Sequence, residues 1–553
     1  MMEKTWWKEG IMYQIYPRSF KDSNGDGIGD IGGIIEKLDY LKALGVDIIW
    51  LGPVYPSPNE DNGYDVADYC GIHPEFGNMK QFDEMLAGLH QRDIKLIMDL
   101  VPNHSSDEHV WFQESKKSKD NPFRDYYYWR PGKRGGPPNN WKSWFSGSVW
   151  KYDENTEEFY LHLFSKKQPD LNWENQELRF AMYDNMKFWL DKGVDGFRID
   201  VVSLISKHLN FPDSELKDFR KTVCKYYANG PRVHEFLQEM NREVFQHYDM
   251  MTVGEGPGIT KALAPLYIKN SRKELNMIFQ LELMEINHGP GGKFDFLPIS
   301  LLDIKKVFRE WNDAVGEEGW NNVFLDNHDF PRMLSRFGND TEYRNESAKL
   351  LATLLLSLRG TPCIYQGSEI GMRNVKFDSI SDYKDLETIN YYKEEKAKGR
   401  TEAELLPGIY EQGRDNVRTP LQWDDSENAG FTSGTSWIKV NRDYKEINIA
   451  SAMEDENSIF FYYQKMIVFR KSHECLVYGT QEEYLSNHPS LYVILRATAR
   501  EECLVVLNFS DLIQDFPTSI SKKAKIWIFG NYSQEENIHA QLRPWEARIY
   551  KTS

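Results

Sequence analysis

The chain has 553 residues, 40% of them hydrophobic, with 16 Trp, 30 Tyr and 30 Phe, which describes a folded protein with room for one large domain and at least one more. Its formal net charge of −17 argues against nucleic acid or an anionic membrane as a partner. No run of about 18 apolar residues could span a bilayer, the charged, Trp-rich start lacks an apolar signal core, and the 5 scattered cysteines show no metal-ligand spacing, which fits reduced thiols in a cytoplasm.

In chain order, short apolar runs alternate with amphipathic segments. Strands are predicted over 11–17, 46–51 and 94–101, with helices over 34–44 and 81–92. Apolar strands without polar alternation, separated by helices, imply a parallel sheet covered on both faces. From 103 to 173 the rhythm breaks into Trp, Tyr, Pro, Gly and Asn. That stretch is too long for an ordinary loop and reads as an inserted subdomain or lid. The alternation resumes with a helix over 178–190, a strand ending at Asp200 and a helix over 233–245. Strands over 251–255 and 277–283, a helix over 304–311, a strand over 322–325, a helix over 348–358 and a strand over 361–366 follow. Roughly eight strands with intervening helices are the repeat of a (β/α)8 barrel. An open doubly wound sheet is disfavoured, because no Gly-rich phosphate loop follows the first strand. After a helix over 459–471, short β runs at 491–496, 503–507, 525–529 and 547–550 are separated by turn residues, as in a C-terminal antiparallel β-sandwich. The expected division is a barrel over 1–104 and 173–473, a subdomain over 105–172 and an all-β domain over 474–553.

The C-terminal strand ends of such a barrel form one rim where function collects. Here they carry Asp99 with Asn103 and His104, Arg198 with Asp200, Glu255, and His328 with Asp329. Arg198 lies two residues before Asp200, so both side chains point to the same face of a strand. The guanidinium keeps the carboxylate ionised and fixes its geometry. By itself such a pair is equally a structural ion pair. Three acids aimed into one bowl are a different matter, because clustered carboxylates repel and raise one another's pKa. Retaining glycoside hydrolysis uses such a cluster as nucleophile and acid/base. Magnesium-assisted enolisation uses it to hold metal, with a Lys or His as base. Arg198 competes with a divalent cation and no strand end offers a Lys, which favours the first chemistry.

These motifs resemble the α-amylase superfamily of glycoside hydrolases, and within it the oligo-1,6-glucosidase and α-glucosidase branch. The likeness rests on Asp99-Leu-Val-Pro-Asn-His104, Gly196-Phe-Arg-Ile-Asp200, Val253-Gly-Glu255 and Phe324-Leu-Asp-Asn-His-Asp329, with Gln168-Pro-Asp-Leu-Asn172 and Gly413-Arg-Asp-Asn-Val-Arg-Thr-Pro420. It implies a barrel with a subdomain after the third strand. It also implies that Asp200 is the nucleophile, Glu255 the acid/base and Asp329 a third acid gripping sugar hydroxyls. By the same resemblance His104, Arg198 and His328 line the terminal glucose subsite, Phe145 and Phe164 form apolar walls, and Asp65 and Arg414 pair across the far hydroxyls. A pocket closed by such a pair admits one terminal sugar, which means exo cleavage of a short oligosaccharide; separately, the enzyme is expected to be monomeric and cytoplasmic.

Val201 follows the expected nucleophile. In similar enzymes Val here accompanies α-1,6 links, and Thr accompanies α-1,4. Gly256 stands where similar enzymes carry a bulkier residue, which is expected to enlarge the next subsite. Sucrose hydrolysis, sucrose isomerisation and trehalose-6-phosphate hydrolysis use the same site. The stretch 291–298 lacks the charged motif that sucrose isomerases resembling this chain carry, and Lys293 offers a positive charge near the entrance. A catalytically inactive binding relative is the reading from a different class, and the three acids argue against it. The loop of Asp22, Asn24, Asp26, Ile28 and Asp30 places oxygens at alternate positions with glycines between them. Gly33 stands where an EF-hand has its closing Glu, and the resemblance implies a structural Ca²⁺ held by those four side chains and the Ile28 carbonyl.

Overall fold

The computed structural model describes residues 4–533 and 541–552. Eight parallel strands, β1 (Met12–Ile15), β2 (Ile48–Leu51), β3 (Lys95–Leu100), β4 (Gly196–Ile199), β5 (Met251–Glu255), β6 (Met277–Phe279), β7 (Asn322–Val323) and β8 (Thr361–Tyr365), pair in sequence order and close β8 onto β1. Every residue of β1, β2, β4 and β5 is buried, so the continuous apolar runs follow from a sheet covered by helices outside and filled by side chains inside. The register sets Asp99 of β3 beside Arg198 of β4, and Arg198 beside Val253 of β5. Gly196 is required for this closeness: its φ is +149°, and a Cβ there would lie 2.0 Å from the Met251 carbonyl oxygen.

Two expectations change locally. The helix read over 34–44 is two helices, Ile31–Glu36 and Leu38–Leu44, broken at Lys37, which leaves helical geometry at φ −111°, ψ 12°. The strand read over 277–283 stops at Phe279, because Gln280 turns its side-chain oxygen to the Leu283 amide at 3.0 Å and starts the helical turn Glu282–Glu285.

Between β3 and β4 the chain forms a three-stranded antiparallel sheet from Trp129–Arg130, Glu158–Leu161 and Trp150–Asp153. Its aromatic residues explain the composition of this stretch: Tyr128, Trp141, Trp150 and Leu161 bury themselves with Val201, Phe211, Tyr226 and Tyr227 from the loop after β4. A second excursion, after β8, carries the helices Leu386–Ala397 and Glu402–Gln412 back over the rim. It was not legible as a separate unit in the sequence.

Among the described residues, the C-terminal sandwich has one five-stranded antiparallel sheet and a second sheet of two strands, Gln514–Asp515 and Gln541–Leu542. Leu491, Val493, Leu504 and Val506 pack with Phe516 and Leu542 beneath the small sheet. Tyr492, Ile494, Val505 and Ile549 join the barrel core on the other face. Burial on both faces is the reason these strands read as unbroken apolar runs.

Candidate active site

Arg198 is the cation of the bowl. It is 1% exposed, lies over the Trp50 ring at 5.2 Å, and divides its donors among three acids. Nη1 donates to Asp99 Oδ1 at 2.5 Å and to Asp200 Oδ1 at 2.7 Å, and Nη2 donates to Glu255 Oε2 at 2.6 Å. Asp99 also accepts from Trp50 Nε1 at 2.8 Å and from the Tyr64 hydroxyl at 3.0 Å, so it anchors the guanidinium. Burial, with mutual repulsion, pushes both Asp200 and Glu255 above the usual carboxylate range against the pull of Arg198. Such a pair titrates as a unit.

Asp329 is the opposite case. Burial would raise it, but its neighbours hold it well below the usual range. His328 Nε2 lies 3.2 Å from Asp329 Oδ2, while Arg414 Nη1 and Arg418 Nη2 donate to Oδ1 at 3.2 and 2.9 Å. Burial lowers His328 to about 3, so at neutral pH the imidazole is uncharged and the two guanidiniums carry the effect. Its ring is fixed between Gln14 Nε2 at 2.7 Å and the Tyr64 hydroxyl at 2.8 Å. His104 is likewise buried and lowered to about 4, with Nε2 3.1 Å from the Tyr64 carbonyl oxygen. Phe164 packs 5.0 Å from the His104 ring, and Phe145 lies 5.9 Å from Phe164 and 5.4 Å under the Arg414 guanidinium. The two rings thus pack between His104 and Arg414.

Asp65 does not pair with Arg414. It is fully buried and accepts from Ser57 Oγ at 2.9 Å, the Glu60 amide at 2.8 Å and the Asp61 amide at 3.1 Å, which makes it the brace of the loop. The acid that this loop turns toward Arg414 is Asp61, with Oδ1 3.3 Å from Nη2. Burial raises Asp61 to about 6 despite Arg414 and Arg418. Arg414 is also held by Asp385, whose Oδ1 accepts from Nε at 2.8 Å. Asp385 accepts from the Thr388 amide at 3.1 Å as N-cap of Leu386–Ala397, so one carboxylate starts the helix and positions the rim arginine.

Val201 has φ +36° and ψ +42°, a left-handed conformation that is strained for a β-branched residue. The turn aims its amide at Glu255 Oε2, 3.5 Å away, and its side chain is buried under the subdomain. Gly256 does not open a neighbouring space: a Cβ there would lie 2.1 Å from Ile259 Cδ1, so Ile259 already fills the room.

A family model for the alpha-amylase catalytic domain matches residues 14–479. The chain belongs to the α-amylase family. It is 59% identical to an oligo-1,6-glucosidase of Parageobacillus thermoglucosidasius, over 100% of this chain and 99% of that protein. It is 46% identical to a trehalose-6-phosphate hydrolase of Bacillus subtilis, over 99% of this chain and 98% of that protein. Among solved structures, it is similar to an isomaltulose synthase mutant of Erwinia rhapontici with sucrose bound, at TM-score 0.96 and 44% identity, over 100% of both chains.

Within this α-amylase family bowl, sequence reasoning missed Asp61, Tyr64, Asp385 and Arg418. Arg418 lies four residues after Arg414 within 413–420, and Asp61 four residues before Asp65. Asp385 precedes Leu-Glu-Thr, which reads as a helix start and not as a site.

At the Asp22 loop, Asp22 Oδ1 accepts the Asn24 and Gly25 amides at 2.9 and 2.8 Å, and Oδ2 accepts the Gly27 amide at 2.8 Å. Asp30 accepts the Ser23 amide at 3.1 Å and the Gly33 amide at 2.6 Å. Among the described residues, no three acidic, cysteine or histidine side chains gather as a metal-binding group. The oxygen-only character of the loop fits a hard cation, and such a cation would draw on Asn24 and the Ile28 carbonyl as well as on the acids. No helix of the described residues is long and apolar enough to cross a membrane.

Proposed function

We propose that this α-amylase family enzyme removes terminal α-1,6-linked glucose from short oligosaccharides such as isomaltose, with retention of anomeric configuration. One observation carries this reading. Arg414 joins Asp61, Asp329 and Asp385 across the bowl in which Arg198 holds Asp200 and Glu255. The far side of the bowl is thus closed by ion pairs, and a single terminal sugar fits where a continuing chain would not. Full-length likeness to oligo-1,6-glucosidases supports the linkage.

In the reaction, an oxygen of Asp200 attacks the anomeric carbon as Glu255 gives its proton to the departing glycosidic oxygen. The glucosyl ester on Asp200 is then opened by water, whose proton returns to Glu255. The common guanidinium under both carboxyls supports the short spacing of about 5–5.5 Å that retention uses, against about 6.5–9.5 Å for inversion. Asp329, kept ionised by its arginines, grips sugar hydroxyls and stabilises positive charge developing on the ring. The neutral His104 and His328, whose ring nitrogens are held by Gln14, Tyr64 and Asn103, shape the subsite without adding charge.

Lys293 bears on the phosphate alternative. Its Nζ is 2.7 Å from Glu387 Oε2, so its charge is already paired, which favours a neutral substrate. Val201 favours α-1,6 over α-1,4 links by presenting methyl groups where Thr would present a hydroxyl. We place the enzyme in a reducing cytoplasm as a monomer, and its five unpaired cysteines support the first part. The Asp22 loop is assigned a structural Ca²⁺ held by Asp22, Asn24, Asp26, Asp30 and the Ile28 carbonyl. That ion supplies charge balance to the loop and takes no part in the reaction. Proton NMR of the glucose formed from p-nitrophenyl α-glucoside, recorded before mutarotation, tests the mechanism: α-glucose supports retention, and β-glucose refutes it.

A further inference from the structure

The hairpin between β6 and β7, strands His288–Gly289 and Gly292–Phe296, does more than edge the bowl. Its second strand lies against the helix Glu402–Gln412, where a Cβ on Gly408 would come within 2.2 Å of the Phe294 carbonyl oxygen. This close seat opens a cavity of about 630 Å³ between the hairpin and the two helices of the last excursion, lined by Phe294, Asp295, Phe296, Tyr391, Glu395 and Arg400 among others. That size lies within the usual range for small-ligand sites.

Its lining has a definite chemistry. Tyr391 stacks on Phe294 with ring centroids 4.2 Å apart and planes at 22°, and the Tyr391 hydroxyl accepts from Arg400 Nη1 at 3.2 Å. Phe296, two residues along the strand and thus on the same face as Phe294, is 40% exposed. A ring left in water beside a stacked aromatic pair is an apolar platform with a polar edge. Among the described residues, three acids and two cations line the cavity: Glu395 accepts from Lys398 at 2.6 Å and from Arg400 at 3.3 Å, Glu404 accepts from the Thr401 amide, and Asp295 accepts from the Gly291 amide. With one carboxylate in excess, the lining repels anions and offers acceptors to hydroxyl groups, which suits a neutral polyhydroxylated ligand better than an anion. Lys293, on the same strand, bonds Glu387 at 2.7 Å, and Glu387 lies 3.7 Å from Arg414 Nε. Lys293, through Glu387, thus links the strand that lines the cavity to the rim arginine of the bowl.

We propose that this cavity is a second binding site for a neutral oligosaccharide, separate from the catalytic bowl. The identity of the sugar rests on the function proposed above, whereas the existence of the site does not. The probe is isomaltotriose, followed by saturation-transfer NMR on the full-length enzyme with the bowl blocked by a saturating iminosugar glucose mimic. Binding is expected to persist in the blocked enzyme and to weaken at least tenfold in Phe296→Ser and in Tyr391→Ala. Both variants should hydrolyse p-nitrophenyl α-glucoside, which fills only the bowl, at the unaltered rate. Loss of all binding once the bowl is blocked would overturn the proposal, as would binding indifferent to both substitutions. Displacement of the sugar by inorganic phosphate at equal concentration would overturn its neutral-ligand part. Failure of the unmodified enzyme to cleave p-nitrophenyl α-glucoside would instead count against the function, and so the two failures are distinguishable.

Discussion

Arg198 Nη2 donates to Glu255 Oε2 at 2.6 Å while Nη1 of the same guanidinium donates to Asp200 Oδ1 at 2.7 Å. Asp99 takes a third bond from it, so three buried carboxylates lean on one cation. Removing that cation leaves them uncompensated. Arg198→Gln is expected to lower kcat/KM at least a thousandfold and to cost about 3–5 kcal/mol of stability. Glucose-release kinetics and urea unfolding check the two effects. Arg198→Lys should recover stability better than activity, because an ammonium cannot serve both acids in fixed geometry.

The pH profile follows from which groups titrate. Glu255 must be protonated and Asp200 ionised to act, so the raised pair works while the two carboxyls share one proton, and loss of that proton from the pair sets the alkaline limb. Activity should therefore fall as pH rises through the raised pKa of the pair. His328 and His104, lowered to about 3 and about 4, stay neutral from pH 5 upward and contribute nothing to this limb. Glu255→Gln should remove the alkaline limb from whatever activity remains. His328→Asn should lower kcat and leave the limb where it is. A limb that moves with His328 would contradict the assignment.

Asp61 and Asp65 should separate binding from stability. Asp61→Asn removes a charge facing Arg414 and is expected to raise KM ten- to a hundredfold with a smaller change in kcat. This corresponds to a charged hydrogen bond of about 1.5–3 kcal/mol. Asp65→Asn keeps one acceptor oxygen and sets a donor in place of the other, so either the Glu60 or the Asp61 amide loses its partner, which should lower the melting temperature while leaving KM within about threefold. Reversed outcomes would restore Asp65 as the sugar contact.

The Asp22 loop is held in part by its own backbone donors, so chelation should lower thermal stability without altering KM for isomaltose. Differential scanning fluorimetry with EDTA, with and without added Ca²⁺, measures this. An equal melting temperature under both conditions would remove calcium from the account.

The barrel was legible because strands buried on both faces leave an unmistakable alternation with amphipathic helices, and the acids at the strand ends stood inside recognisable motifs. The substrate pocket was read less well. Asp61 and Asp65 differ by four positions in one polar loop, and only the fold decides which one turns to Arg414 and which braces the backbone. Asp385 was hidden because its sequence context describes a helix cap, a role it also fills. The room expected at Gly256 disappears because Ile259, three residues on, folds back into it, a contact that no periodicity announces. Strain at Val201 was likewise invisible, since a Val after an apolar run reads as one more strand residue.

The most direct test is glucose release from isomaltose, maltose, sucrose and trehalose 6-phosphate measured in parallel, with Asp200→Asn as the blank. Isomaltose cleaved fastest, and cleavage abolished in the variant, is the expected result. Preference for maltose would retain the mechanism and refute the linkage argument from Val201. Fastest cleavage of trehalose 6-phosphate, or undiminished activity in Asp200→Asn, would contradict the account at its centre.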